Sequence, residues 1–101
     1  MRIRILDTAE NDIVEGFRFY ESQSPGLGFY FLDSLYSDID SLAFYAGIHR
    51  IVFGYHRLLS KRFPFAVYYH IVGEDVLVSA VLDFRRGPSW IHERLKESDM
   101  E

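Results

Sequence analysis

The residues with most chemistry in this chain come near its end, in Asp83-Phe84-Arg85-Arg86-Gly87-Pro88. Two adjacent arginines follow an apolar run and precede a turn, and arginine's planar donor fork is the side chain best suited to gripping a carboxylate or phosphate. The formal net charge is −4, so these guanidiniums are not part of a generally basic surface. Residues 1–50 carry eight acids against four arginines, whereas residues 54–88 carry five bases, Arg57, Lys61, Arg62, Arg85 and Arg86, against Glu74, Asp75 and Asp83. A pI of about 5.5 therefore conceals a locally cationic second half. Because strand residues alternate between faces, Arg85 and Arg86 are expected to have different roles. Arg57, Lys61 and His56 admit a plainer reading as charges that block edge-to-edge sheet pairing.

Other chemistries find little support. The absence of cysteine removes disulfides and thiolate metal sites, and is compatible with a reducing cytoplasm. His49, His56, His70 and His92 never fall at the i, i+4 spacing of a helical zinc pair, so neither a metal nor a cofactor is expected. Histidine as a residue type can carry protons near neutral pH, but His92 sits in a weakly patterned tail. No apolar run approaches the roughly 18 residues of a membrane span, and the basic start lacks the apolar core of an export signal; the chain is expected to be cytoplasmic, with no membrane partner.

The elements that must position the arginines follow from periodicity. A chain of 101 residues without repeats or low-complexity linkers makes one domain, 1–101. Asp7 and Glu10 resemble a capping box, and Ala9, Ile13, Phe17 and Tyr20 recur at helical spacing, which predicts a helix over 8–22. Ser24-Pro25 reads as a cap and first turn of a second helix over 25–46, ending before Gly47 and antiparallel to the first. Residues 55–62, 65–72 and 76–86 are β-branched and aromatic runs joined by short turns, hence an antiparallel meander, with a further strand at 2–6. The expected class is α+β: a small antiparallel sheet with an N-terminal helical hairpin on one face, β-α-α-β-β-β, and a short, frayed C-terminal helix. In the third strand Val76, Val78, Ala80, Leu82 and Phe84 are expected on the face that packs on the helices. Phe17, Leu35, Ile39, Val67 and Val78 are predicted core.

Nine Phe, seven Tyr and one Trp are more aromatic residues than a core of this size readily encloses. Phe19, Phe29, Phe31, Phe44 and Tyr45 are expected on the outer sides of the helices, covered by a partner. Tyr68, Tyr69 and His70 read as core and sheet-surface residues rather than a base-stacking platform.

The order of elements, with Lys61-Arg62-Phe63-Pro64-Phe65-Ala66-Val67-Tyr68-Tyr69 and the closing Arg85-Arg86-Gly87-Pro88, resembles the RelE/ParE superfamily of toxins from bacterial type II toxin–antitoxin systems, nearest the ParE-like branch. The chain departs from that branch at Asp83, where a histidine is frequent, and at Gly87, where an acid is. The resemblance implies a plasmid-stabilization type of toxin that inhibits DNA gyrase and is neutralised by a ParD-like antitoxin in a hetero-oligomer. Under it Arg86, Arg85, Arg57 and Lys61 become target contacts, and the exposed helix aromatics become the antitoxin-binding surface. Two alternatives stay open: a RelE-like endoribonuclease cutting mRNA on the ribosome, and an inactive domain that only binds antitoxin. Cleavage at the 2′-hydroxyl needs a general base, a general acid and cations around the phosphorane. Phe65-Ala66 stands where the RNA-cutting branch tends to place an arginine, and no tyrosine follows Tyr69.

Overall fold

A computed structural model describes residues 1–99. The order is β1 (Arg2–Ile5), α1 (Asp7–Gln23), α2 (Leu27–Asp40), a single helical turn α3 (Leu42–Tyr45), β2 (Ile51–Val52), β3 (Tyr55–Leu59), β4 (Phe65–Val72), β5 (Asp75–Asp83) and α4 (Pro88–Asp99). The five strands form one sheet in the order β1-β5-β4-β3-β2. The α+β class and the helical hairpin are as expected. The sheet, however, is mixed: β2 to β5 form the antiparallel meander, but its last strand returns beside β1 running parallel to it.

The helix boundaries reveal physics that local pattern does not carry. Leu6, not Asp7, is the residue before α1, and no side chain caps it, so Asp7 and Glu10 serve only as first-turn negative charge at the helix's positive end. Ser24-Pro25 lies in the interhelical turn rather than in α2, which starts after Gly26 at φ 90°. There the Glu21 carboxylate, reaching from α1, accepts the backbone N–H groups of Gly26 and Gly28 at 3.1 and 2.9 Å. A carboxylate thus takes up N–H groups that the start of α2 would leave unpaired, in place of the expected serine cap. The second helix breaks at Ser41, whose hydroxyl donates to the Asp38 carbonyl at 2.6 Å.

Two cores result, one on each face of the sheet. Under the hairpin lie Ile13, Phe31, Leu35, Ile39 and Leu42 against Phe65, Val67, Tyr69, Val76, Val78 and Val81, with Phe17 partly buried at the margin. Phe31 is 0 % exposed, enclosed by Tyr20, Phe63 and Phe65 rings at 5.0–5.2 Å, and it approaches Gly16 so closely that a Cβ there would lie 2.5 Å from its ring. The opposite face buries Tyr55, Ala66, Tyr68, Ala80 and Leu82 under Ile91 and Leu95 of α4. The C-terminal helix is therefore a full packing element and not a frayed appendage. Its docking is completed by the Tyr55 hydroxyl, which donates to the Asp99 carboxylate.

A bulge assigns the strands to these two cores. Tyr68 pairs with Ala80 but Tyr69 with Val78, so Ser79 is the extra residue of β5. Beyond it the alternation inverts: Val76, Val78 and then Val81 face the hairpin, while Ala80 and Leu82 face α4. The expectation that Ala80 and Leu82 share a face with Val76 and Val78 fails for this reason, since one inserted residue exchanges inside for outside.

Candidate functional site

The site is built where β1 stops short. Its last ladder contact is the Leu6 N–H to the Val78 carbonyl at 2.9 Å, after which β5, still paired with β4, continues with no strand on its other side. Side chains take over the edge. The Ser79 carbonyl accepts from the Thr8 and Ser98 hydroxyls at 2.9 and 3.0 Å, and the Val81 N–H donates to Asp12 at 3.0 Å. Arg94 closes the arrangement from α4, donating to both Asp12 oxygens at 2.7 and 2.8 Å and to the Thr8 carbonyl at 2.9 Å. Burial raises the Asp12 carboxyl to about 6, although the Val81 N–H and the Arg94 guanidinium both favour its charged form. Nothing in the spacing of Asp12 and Arg94, 82 residues apart, announces this pair.

Next to this lock a cleft of about 200 Å³ opens between α1, the end of β5 and the start of α4. Gly16, Phe65, Val81 and Leu82 contribute to its apolar lining, and Phe19, Glu15, Asp83, Arg86 and Trp90 also line it. The two adjacent arginines part here. Arg85 folds back on Asp83, with Nε at 3.0 and 3.2 Å and Nη2 at 2.7 Å from the carboxylate oxygens, and this contact holds the Asp83 carboxyl below its ordinary range. Arg86 instead lays its guanidinium 4.2 Å from the centre of the Trp90 ring. Its backbone N–H closes the turn onto the Asp83 carbonyl at 3.2 Å. One arginine is neutralised within its own turn; the other is offered on an aromatic face.

The remaining cations divide between that end of the sheet and its interior. The β3–β4 connection is drawn to the same end by the Phe84 N–H to the Pro64 carbonyl at 3.0 Å, which places exposed Lys61 and Arg62 on the side of Arg85 and Arg86. Arg62 stands 6.0 Å over the Tyr30 ring. Arg57 lies further in, paired across the ladder with Tyr68, and is half-buried; its Nε is buried without a hydrogen-bond partner. It does not join the exposed group.

Among the aromatic residues expected on the outer helix surface, Phe19, Phe29, Phe44 and Tyr45 are exposed, Phe44 the most at 87 %. Phe31 is the correction: the same face of α2 that carries Leu35 into the core carries Phe31 with it, so it belongs to no docking surface. Tyr30 and Tyr36 are exposed beside them and escaped the sequence reading. On the sheet, Tyr55, Tyr68 and Tyr69 are all buried, and burial raises each phenol. Tyr69 anchors the loop before β2, accepting from the Gly47 N–H at 2.9 Å and meeting His49 Nδ1 at 2.5 Å while His56 stacks on its ring. Burial, followed by repulsion from His56, lowers the His49 pKa. His70 stacks on Tyr55 at 4.0 Å, and His92 lies exposed against Phe53 at 4.8 Å, away from any carboxylate or tyrosine partner among the described residues.

This architecture has a solved counterpart. A chain from the "Chromosomal ParDE TA system from P. aeruginosa" superposes with a TM-score of 0.74 at 19% identity, over 80% of this chain and 92% of that one. The two chains share one fold. No protein-family model matches the sequence, and no curated protein matches it significantly, so the likeness is carried by backbone geometry rather than by sequence. In this chain β1 to β5 and the helical hairpin are the elements that set the arginine pair at one end of the sheet. Among the described residues no helix is long and apolar enough to cross a membrane.

Proposed function

We propose that this chain is the toxin of a type II toxin–antitoxin pair, a ParE-like inhibitor of DNA gyrase that an antitoxin neutralises. The fold shared with a chain of a ParDE system carries the reading. Two features of the surface support it. Phe19 on α1, Phe29 on α2, and Phe44 and Tyr45 on α3 are exposed apolar side chains of the kind a partner segment folds upon. Arg86 and Lys61, exposed at one end of the sheet, form a cationic point on an acidic protein, suited to a nucleic-acid enzyme; Arg85, already paired with Asp83, contributes less, and half-buried Arg57 least. The burial of every tyrosine on β3 and β4 supports this reading over mRNA cleavage, in which a tyrosine or other group at the substrate would have to move the proton.

Induction of the chain in bacteria is expected to arrest growth, with gyrase-dependent DNA breaks accumulating and mRNA remaining intact, and co-expression of the neighbouring antitoxin gene is expected to relieve the arrest. Truncated mRNA on ribosomes would transfer the protein to the RelE-like class; unimpaired growth would leave only antitoxin binding. Arg86→Ala is expected to abolish the arrest while preserving the melting temperature and the antitoxin complex, with inhibition by the unaltered chain weakening as salt rises. Growth arrest and thermal stability measured together on Arg86→Ala, Arg85→Ala, Arg57→Ala and Lys61→Ala rank the four cations.

A further inference from the structure

The stacked pair at the mouth of the cleft contains a residue to which neither the arginine motif nor the fold gives a role. Trp90 is the third residue of α4 and the chain's single tryptophan. It is 41 % exposed, yet its position is fixed by the next residue, Ile91, which is buried in the second core and whose N–H donates to the Gly87 carbonyl at 3.2 Å. The indole therefore stands on a rigid turn directly after the arginines. Arg86 lies just ahead of α4, whose positive end disfavours a guanidinium. It has no carboxylate in contact among the described residues, since Asp83 is occupied by Arg85. What holds Arg86 in place is the Trp90 face.

We propose that Trp90 is a positioning residue for Arg86: it occupies one face of the guanidinium and leaves the N–H edge directed outward, toward an acceptor on the target. The inference rests on the reading of Arg86 as a target contact. A free arginine loses much rotamer entropy when it is immobilised on a partner, and one already held on an indole loses less, so the stack improves the target interaction without touching the target. Stacking leaves all five N–H donors unused, whereas a salt bridge of the kind made by Arg85 engages its Nε and Nη2 and covers one edge of the fork. The difference between the two neighbours is thus a difference in availability as well as in direction.

Because Trp90 is the only tryptophan, its fluorescence reports the stack directly. Arg86→Ala is expected to shift the Trp90 emission and to increase its quenching by acrylamide; unchanged emission and quenching would mean that the stack does not exist in solution and would overturn the proposal. Trp90→Leu is expected to raise the toxin dose for half-maximal growth arrest about tenfold, with the melting temperature and antitoxin binding little changed, whereas Trp90→Phe, which keeps an aromatic face, stays near the unaltered chain. The double variant Trp90→Leu/Arg86→Ala is expected to be no weaker than Arg86→Ala alone. Should Trp90→Leu fail to fold, Trp90→Met, apolar but without a ring face, takes its place. Full toxicity of a folded Trp90→Leu or Trp90→Met variant, or a further loss in the double variant, would overturn the positioning role. If Arg86→Ala shifts the fluorescence but stays fully toxic, the stack stands, the reading of Arg86 as a target contact fails, and the positioning role falls with it.

Discussion

Asp12 ties α1 to both β5 and α4 through one carboxylate. It replaces a missing strand for the Val81 N–H and neutralises Arg94, and it is only 8 % exposed. Its carboxyl sits at about 6 in the folded chain against an ordinary 3.8, so between those values the native state binds the proton that the unfolded state has released. Stability at this group is therefore greatest at low pH and falls as pH rises from about 4 to about 6. Melting temperatures measured across pH 4–7 should show that decline in the unaltered chain relative to Asp12→Asn, which keeps an acceptor for Val81 but cannot ionise. Asp83 has the opposite sign: lowered by Arg85, it contributes stability above its unfolded value that is lost as pH falls. The second residue-scale prediction concerns Gly16. Alanine gains about 1 kcal/mol of helix propensity, but its Cβ would lie 2.5 Å from the fully enclosed Phe31 ring. Overpacking typically costs about 1–3 kcal/mol, so Gly16→Ala should lower the melting temperature despite its better helix propensity.

At the scale of elements, the two cores make separate demands. Leu35 and Ile39 bring α2 onto the sheet, and truncating either to alanine should cost about 2–5 kcal/mol, measurable by denaturant titration. Leu95 does the same for α4 on the other face, and Leu95→Ala should cost a similar amount, about 2–5 kcal/mol. That second result distinguishes a packing helix from a dispensable tail, for which no change would be seen. The bulge at Ser79 links the two demands. Deleting Ser79 would restore regular alternation with Val78 and Val81 still on the hairpin face and Ala80 and Leu82 still under α4, so that variant should fold, with a melting temperature lowered by loss of the bulge carbonyl that accepts from Thr8 and Ser98.

For the molecule as a whole, the consequence of its surface is association. Phe29 at 60 % and Phe44 at 87 % exposure, with Phe19, Tyr30, Tyr36 and Tyr45 also exposed, put six aromatic side chains of α1 to α3 at the surface. The isolated chain should self-associate at high concentration and become monodisperse when co-expressed with the proposed antitoxin, as read by light scattering. A stable monomer at high concentration would mean that this face needs no partner.

The sequence alone determined the hairpin and the meander, because both rest on periodicities within single segments: Ile13, Phe17 and Tyr20 at helical spacing, and the apolar runs of β4 and β5 bounded by Pro64 and Gly73. It also singled out the arginine pair and stated that its members must differ. Only the tertiary structure decided how they differ, since Arg85 meets its partner Asp83 through the turn's shape and Arg86 meets Trp90 through the docking of α4. The same holds for Glu21 capping α2 from the neighbouring helix, for Phe31 passing from expected surface to core, and for Asp12 joining Arg94. Each is a contact between elements, or a shift of one residue in register, and such contacts have no period by which a single segment could announce them.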